Sequence, residues 1–220
     1  MKPFMKHIIQ PNKWFLYPFF CYLIIGFVLL LLIQKGDEIW FLNRLHTPHV
    51  DIFMKYLTDF GDGLFVIFVI LSLLWVRYDY FLVGVLSFAI TSIIVQFLKH
   101  VVFSDMTRPL KYLGENIGLH LVEGVKVHSY NSFPSGHSTT AFMIFCLLSL
   151  VIDNKKTGFW LFFAALFISW TRPYLVQHFF IDIYFGAILG VTTTFIIWNV
   201  ILKSEKISQN PRWQKSLRAL

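Results

Sequence analysis

Apolar residues persist in six long runs along the chain, and short charged or turn-rich segments interrupt them. The first run, 14–33, carries no charged residue over 20 positions, about what the hydrocarbon core of a bilayer requires of a helix. Further runs cover 64–77, 81–103, 138–152, 158–171 and 183–202. The stretch between the first two is different. Over 34–63 the apolar positions recur at helical spacing among charges, which predicts one or two interfacial amphipathic helices. Asp59-Phe-Gly-Asp-Gly63, Arg77-Tyr-Asp-Tyr80 and 153–157 read as turns, and 104–133 as a long polar loop. The expectation is an all-α, polytopic membrane protein with six transmembrane helices, forming a single domain over 1–220. The first run lacks an Ala-x-Ala site and is long enough to span, so it reads as a membrane helix rather than a cleavable leader.

Composition removes the soluble alternative. The chain is 56% hydrophobic and 14% charged, with 25 Phe, against about a quarter charged in an average soluble protein. The net charge of +7 is explained by Lys and Arg gathering at cytoplasmic ends, so no nucleic-acid partner is implied. With six spans, both termini lie on one side. That side collects Lys2, Lys6, Lys13, Arg77, Lys155, Lys156, Lys203, Lys206, Arg212, Lys215 and Arg218. The other collects Lys35, Arg44, Lys55, Lys99, Arg108, Lys111, Lys126 and Arg172. Eleven against eight, summing to the 19 basic residues, places the termini in the cytoplasm. Cys21 and Cys146 both fall inside apolar runs and imply neither a disulfide nor a metal site.

Two segments on the extracytoplasmic side carry chemistry. They are Asn131-Ser-Phe-Pro-Ser-Gly-His-Ser138 and Thr171-Arg-Pro-Tyr-Leu-Val-Gln-His-Phe-Phe-Ile-Asp182. If 178–182 is helical, His178 and Asp182 share a face, and a carboxylate beside an imidazole sets its tautomer and readies it as a nucleophile or base. His137 adds a second imidazole, and the turn at Pro134-Ser135-Gly136 aims backbone N–H groups at an anion. Lys99 and Arg108-Pro109 supply further cations from upstream. Cations, two imidazoles and a Ser-Gly turn suit a phosphoester. His128, Ser129 and Asn131 lie just ahead of the turn and are placed as lining for a headgroup pocket. Taken singly, His7, His46, His49, His100, His120 and His128 read as structural or incidental.

These residues resemble the three-part signature of the type 2 phosphatidic acid phosphatase superfamily. Pro134-Ser135-Gly136-His137 matches the second part fully. The third part matches in its Arg-x5-His-x3-Asp core, with Thr171 where the family has Ser. In the first part, eight residues lie between Lys99 and Arg108, more than the family usually has. The resemblance implies that Lys99, Arg108, Arg172 and the amides around Ser135 and Gly136 hold the phosphoryl oxygens, with Pro109, Pro134 and Thr171 in support. It implies that His178 attacks phosphorus, Asp182 orients it, and His137 protonates the leaving oxygen and then activates water. No cofactor and no metal are expected. The implied substrate is a membrane lipid phosphate or pyrophosphate, with undecaprenyl pyrophosphate or a broad lipid phosphate range ahead of lipid A, phosphatidic acid or phosphatidylglycerol phosphate. The implied location is a bacterial inner membrane with the site on the periplasmic face. An anion transporter is the rival from another class, but its charges should sit at mid-span and these sit at span ends. Two further rivals are a haloperoxidase-like vanadate binder, which the six spans argue against, and a non-catalytic lipid-binding relative.

Overall fold

Each apolar run is helical in the computed structural model, which describes residues 12–114, 118–204, 207 and 210–219. Lys2, Lys6, His7 and Lys206 lie outside the described residues. In chain order the helices are Lys13–Leu32 (α1), Asp37–Asn43 (α2), Pro48–Leu57 (α3), Gly63–Ser72 (α4), Tyr78–Phe97 (α5), Pro109–Leu113 (α6), Gly136–Val151 (α7), Thr157–Tyr174 (α8) and Phe180–Lys203 (α9). A 3-10 turn, Leu73–Trp75, prolongs α4, and a π turn, Leu98–Val102, prolongs α5. Among the described residues the fold is all-helical.

By length and apolar composition alone, three helices suffice to cross a membrane: α1, Tyr78–Val102 and α9. The 16 residues of α7 rise only about 24 Å, short of the ~30 Å hydrocarbon core. The 34–63 stretch departs from the expectation of purely interfacial helices. There α3 runs through the 3-10 turn Thr58–Gly61 into α4 with a bend of 52°, and the two together have the length and hydropathy of one broken span or a re-entrant loop. The 104–133 segment is also less irregular than expected, because Pro109 at the first helical position starts α6.

The centre of the bundle is the α7–α9 pair. Gly186 and Gly190 let the two backbones touch: a Cβ on Gly186 would stand 2.8 Å from the Ser135 carbonyl oxygen, and one on Gly190 would overlap the Thr139 carbonyl. Small residues four apart permit this approach in membrane helices, where lipid supplies no hydrophobic drive to associate. Two apolar clusters flank the pair. On one side Phe15, Phe19 and Tyr22 of α1 meet Phe142, Phe162 and Tyr184. On the other, Val66, Ile70 and Val83 meet Met143, Leu147 and Ile197. Outward-facing Leu32, Leu64, Phe68 and Trp160 stay more than two-thirds exposed, as lipid-facing side chains do.

The two ends of the bundle carry different polar hardware. At one end Arg77 grips the buried Asp79, with Nε 3.0 Å from Oδ1. The C-terminal segment closes over that end: the carbonyls of Trp213 and Lys215 accept from the N–H groups of Asp79 and Tyr78, at 3.0 Å each. The basic tail therefore caps α5. At the other end, the C-terminal turns of α5 and α8 meet the N-termini of α7 and α9.

Candidate active site

That second end gathers every residue the two motifs single out. Asp182 sits in the first turn of α9, where a carboxylate complements the helix dipole and caps free N–H groups. Its Oδ2 accepts from the Phe179 N–H at 3.0 Å, from the Ser132 hydroxyl, and faces His178 Nδ1 at 3.2 Å. His178 itself precedes the helix. The shared-face argument therefore does not apply, and the pair forms because the chain bends over the helix N-terminus. The bend passes through Val176, a β-branched residue held at φ 57°, a costly conformation that clusters at functional sites. With Nδ1–H donated to Asp182, Nε2 carries the free lone pair. Burial, with the charges of Arg108, Lys99 and Arg172 around it, holds the imidazole well below the usual histidine range.

The Ser135 turn docks onto the same helix start. Ser135 N–H donates to the Asp182 carbonyl at 3.0 Å, and its hydroxyl caps α7 by accepting from Ser138 N–H at 3.4 Å. Ser135 is fully buried. A Cβ on Gly136 would meet only Val95, at 3.8 Å, so packing does not demand glycine there, and the open space lies beside the first N–H groups of α7. His137, also in the first turn, lies within electrostatic reach of Arg172, His178, Lys99 and Arg108.

Three cations ring this point. Lys99 lies on the π turn that ends α5, buried to 8% exposure, and its Nζ donates to the Asn131 carbonyl at 2.9 Å. The π turn and the bend after it absorb the extra residues between Lys99 and Arg108. Arg108 donates from Nε to the Tyr130 carbonyl and from Nη1 to the Gln177 carbonyl, at 3.0 and 3.3 Å. Arg172, 5% exposed, donates from Nη1 to Thr58 Oγ1 at 2.8 Å, while its Nε is buried with no hydrogen-bond partner. A buried guanidinium N–H without an acceptor is a rare and costly arrangement, and an oxyanion is the natural complement.

One supporting expectation needs correction. Thr171 does not offer its hydroxyl to an anion: Oγ1 donates to the Ile168 carbonyl of its own helix at 2.6 Å, as hydroxyls on buried helix turns do. Ser129 and Asn131 each lend a backbone carbonyl to a cation-bearing residue. Ser129 O accepts from Arg108 N–H at 2.9 Å, and Asn131 O accepts from Lys99. Pro109 and Pro134 are buried beside Arg108 and Ser135.

Three residues that sequence reasoning passed over join the site. Ser132 holds Asp182, Thr58 holds Arg172, and Asp62 Oδ2 stands 3.8 Å from His137 Nε2. Ser132 lay inside the quoted motif, so its hydroxyl was visible. Thr58 and Asp62 belong to the Asp59–Gly63 turn, which sequence marked only as a break. That turn presses on α7 because Gly61 has no side chain: a Cβ there would stand 3.1 Å from the His137 carbonyl and 3.0 Å from Ile168 Cγ2. A cleft of about 170 Å³ opens from His137 between α4, α5 and α7, past Gly63, Phe88, Gln96 and Thr140.

Comparison with known proteins gives the fold a context. LpxE of Aquifex aeolicus superposes with a TM-score of 0.63 at 24% identity, over 75% of this chain and 94% of that one. The first transmembrane PAP2-type phosphatidylglycerolphosphate phosphatase of Bacillus subtilis superposes with a TM-score of 0.64 at 20% identity, over 90% and 98%. No curated protein matches the sequence. At these identities the two structures establish a shared fold. The profile of the PAP2 superfamily matches residues 80–206, a span that holds Lys99, Arg108, the Ser135 turn, Arg172 and the His178–Asp182 pair. The chain belongs to the PAP2 superfamily.

Proposed function

We propose that this protein is a membrane lipid phosphate or pyrophosphate phosphatase that works through a phosphohistidine. The observation that carries the reading is a sealed imidazole, His178 on Asp182, within electrostatic reach of Arg172, whose buried Nε has no hydrogen-bond partner. Arg172, Arg108, Lys99 and the α7 amides hold the phosphoryl oxygens and stabilise the charge that builds on them. His178 Nε2 attacks phosphorus, and the P–O bond to the leaving group breaks as the P–N bond forms. His137, which takes up a proton once the bound phosphate dianion offsets the cations around it, gives that proton to the departing oxygen, then takes one from water, which cleaves the P–N bond and releases phosphate. Side-chain cations supply the neutralisation that Mg²⁺ supplies in kinases, so the transfer itself needs no metal.

A lipid leaving group fits the surroundings. The proton donor, His137, stands at the mouth of the cleft between α4, α5 and α7, and the leaving oxygen must lie beside its proton donor. A leaving group seated there runs between membrane helices, where an acyl or isoprenoid chain is at home. The favoured substrate is undecaprenyl pyrophosphate or a broad set of lipid phosphates, with lipid A phosphates and phosphatidylglycerol phosphate next. The topology that goes with this is one domain of six crossings, both termini cytoplasmic and the site periplasmic in a bacterial inner membrane.

The test is phosphate release in detergent micelles from isoprenoid pyrophosphate, phosphatidic acid, phosphatidylglycerol phosphate and lipid A. Release that vanishes in His178→Ala and is blocked by vanadate is expected. Undiminished turnover in His178→Ala would remove the nucleophile, and activity abolished by chelation and restored by a divalent ion would overturn metal-free transfer.

A further inference from the structure

Away from the phosphate-binding ring, three side chains distant in sequence meet: His46 in the turn after α2, Asp51 on α3 and His120 in the loop after α6. His46 Nδ1 lies 2.6 Å from Asp51 Oδ1, and His120 Nε2 lies 2.8 Å from Asp51 Oδ2. The two imidazole rings have centroids 4.2 Å apart. One ligand atom from each of the three residues lies within 4.8 Å of the other two. Tyr174 closes the group from α8, donating its hydroxyl to Asp51 Oδ1 at 2.6 Å and stacking on His46 with centroids 4.2 Å apart.

A carboxylate shared by three hydrogen-bond donors would account for most of this, but it does not account for His46. That side chain is 6% exposed, and its second ring nitrogen, Nε2, is buried without a hydrogen-bond partner. A neutral ring leaves a buried acceptor unmet, and a protonated ring leaves a buried N–H unmet. Native interiors rarely tolerate either.

We propose that His46, Asp51 and His120 bind a divalent transition-metal ion, Zn²⁺ by preference. Two imidazoles and one carboxylate, with no thiolate, form the donor set of zinc sites that keep an open fourth position. Three donors, two of them nitrogen, are too few and too soft for Ca²⁺ or Mg²⁺. Two neutral imidazoles and one carboxylate sum to a single negative charge, which suits a dication. Bonds of ~2.1 Å at tetrahedral angles separate ligand atoms by roughly 3.4 Å, so turning the His46 ring to present Nε2, with smaller rotations of His120 and Asp51, makes the cluster a coordination shell and gives that nitrogen its partner. His120, half-exposed, gives the ion access and leaves room for water as fourth ligand. Tyr174 supplies the outer-shell hydrogen bond that orients a ligating carboxylate.

The ion would act as a brace and not as a reactant. It joins α3 to the loop after α6 and, through Tyr174, to α8, whose Arg172 takes Thr58 at the end of α3 as its partner. This site does not depend on the phosphatase reading.

The test uses full-length protein in detergent, stripped with a chelator, titrated with Zn²⁺ and freed of excess metal by gel filtration. The expected result is a single retained ion per chain and a higher melting temperature. Both effects are lost in His120→Ala and in Asp51→Asn, while Tyr174→Phe weakens binding by about 10-fold. His49→Ala and His178→Ala keep the ion. Metal-free His120→Ala should melt where the metal-free parent does, which separates lost coordination from lost folding. No retained zinc, or retention undiminished in His120→Ala, would overturn the site. So would its loss in His178→Ala, which would move the ion to the phosphate-binding ring.

Discussion

His178 and His137 each stand beside a carboxylate, yet the two pairs are built differently. His178 and Asp182 are both 2% exposed, 3.2 Å apart, and Asp182 is fixed by Ser132 and the Phe179 N–H. His137 and Asp62 are 30% and 48% exposed and 3.8 Å apart. Under the proposed mechanism the difference matches what each imidazole would do. A nucleophile must attack along one line, so its ring is clamped and kept from water, where a low-dielectric setting also strengthens the carboxylate's hold on the imidazolium that forms. A proton carrier must exchange with water twice in each cycle, so it sits at an open wall with a loose partner. The contrast makes a ranking, and each substitution tests a different part of it.

The largest effect should come from His178→Ala, with turnover falling by on the order of 10⁴-fold or more, because the proposed nucleophile is gone. Asp182→Asn should follow at about 10³–10⁴-fold, since an amide lacks the charge that sets the tautomer and steadies the imidazolium. Single-turnover kinetics checks both, and a loss in Asp182→Asn no larger than in Asp62→Asn would break the comparison. His137→Ala should cost about 10²–10³-fold on a lipid phosphate. Its loss should shrink on an aryl phosphate whose leaving group needs no proton, and a loss equal on both substrates would deny the acid role. Asp62→Asn should cost less than about 10-fold, because a half-exposed charge at 3.8 Å is well screened.

The smallest effect is a pH dependence of stability. The folded His178 pKa lies well below its ordinary value, while the unfolded chain takes up that proton near pH 6.5. Below about 6.5 the unfolded state therefore binds more protons, and stability falls as pH drops, by up to about 1.4 kcal/mol per pH unit from this group. His178→Gln should flatten thermal melts over that range by one proton's worth. An unchanged slope would mean that His178 protonates freely in the fold.

Much of this site was visible in the sequence because its residues are local to two short segments. The turn Pro134-Ser135-Gly136-His137 and the run from Arg172 to Asp182 bring their own caps, bends and helix starts, so proximity within each is dictated by a few backbone dihedrals. What was misread was also local in cause. The His178–Asp182 contact was assigned to a shared helix face, but the chain turns at Val176 and starts its helix later. Thr171 looked like a phosphate donor, but a hydroxyl on a buried helical turn finds its own carbonyl first.

Long-range partners were a different matter. Asp62, Thr58 and the His46–Asp51–His120 group carry no periodic or motif signal. Thr58 and Asp62 come close to α7 and α8 where Gly61 allows a tight backbone approach, and the His46 group meets where α3, α8 and the loop after α6 come together. Sequence alone determined the membrane class, the apolar helices and the two motif segments, because apolar run length and local turn chemistry act over a handful of residues. The tertiary structure alone decided which cation is left with an unpaired N–H, which histidine is sealed and which is open, and which distant histidines share a carboxylate. Those outcomes depend on how helices pack against one another, and packing is a property of the assembled surface that no single stretch of chain contains.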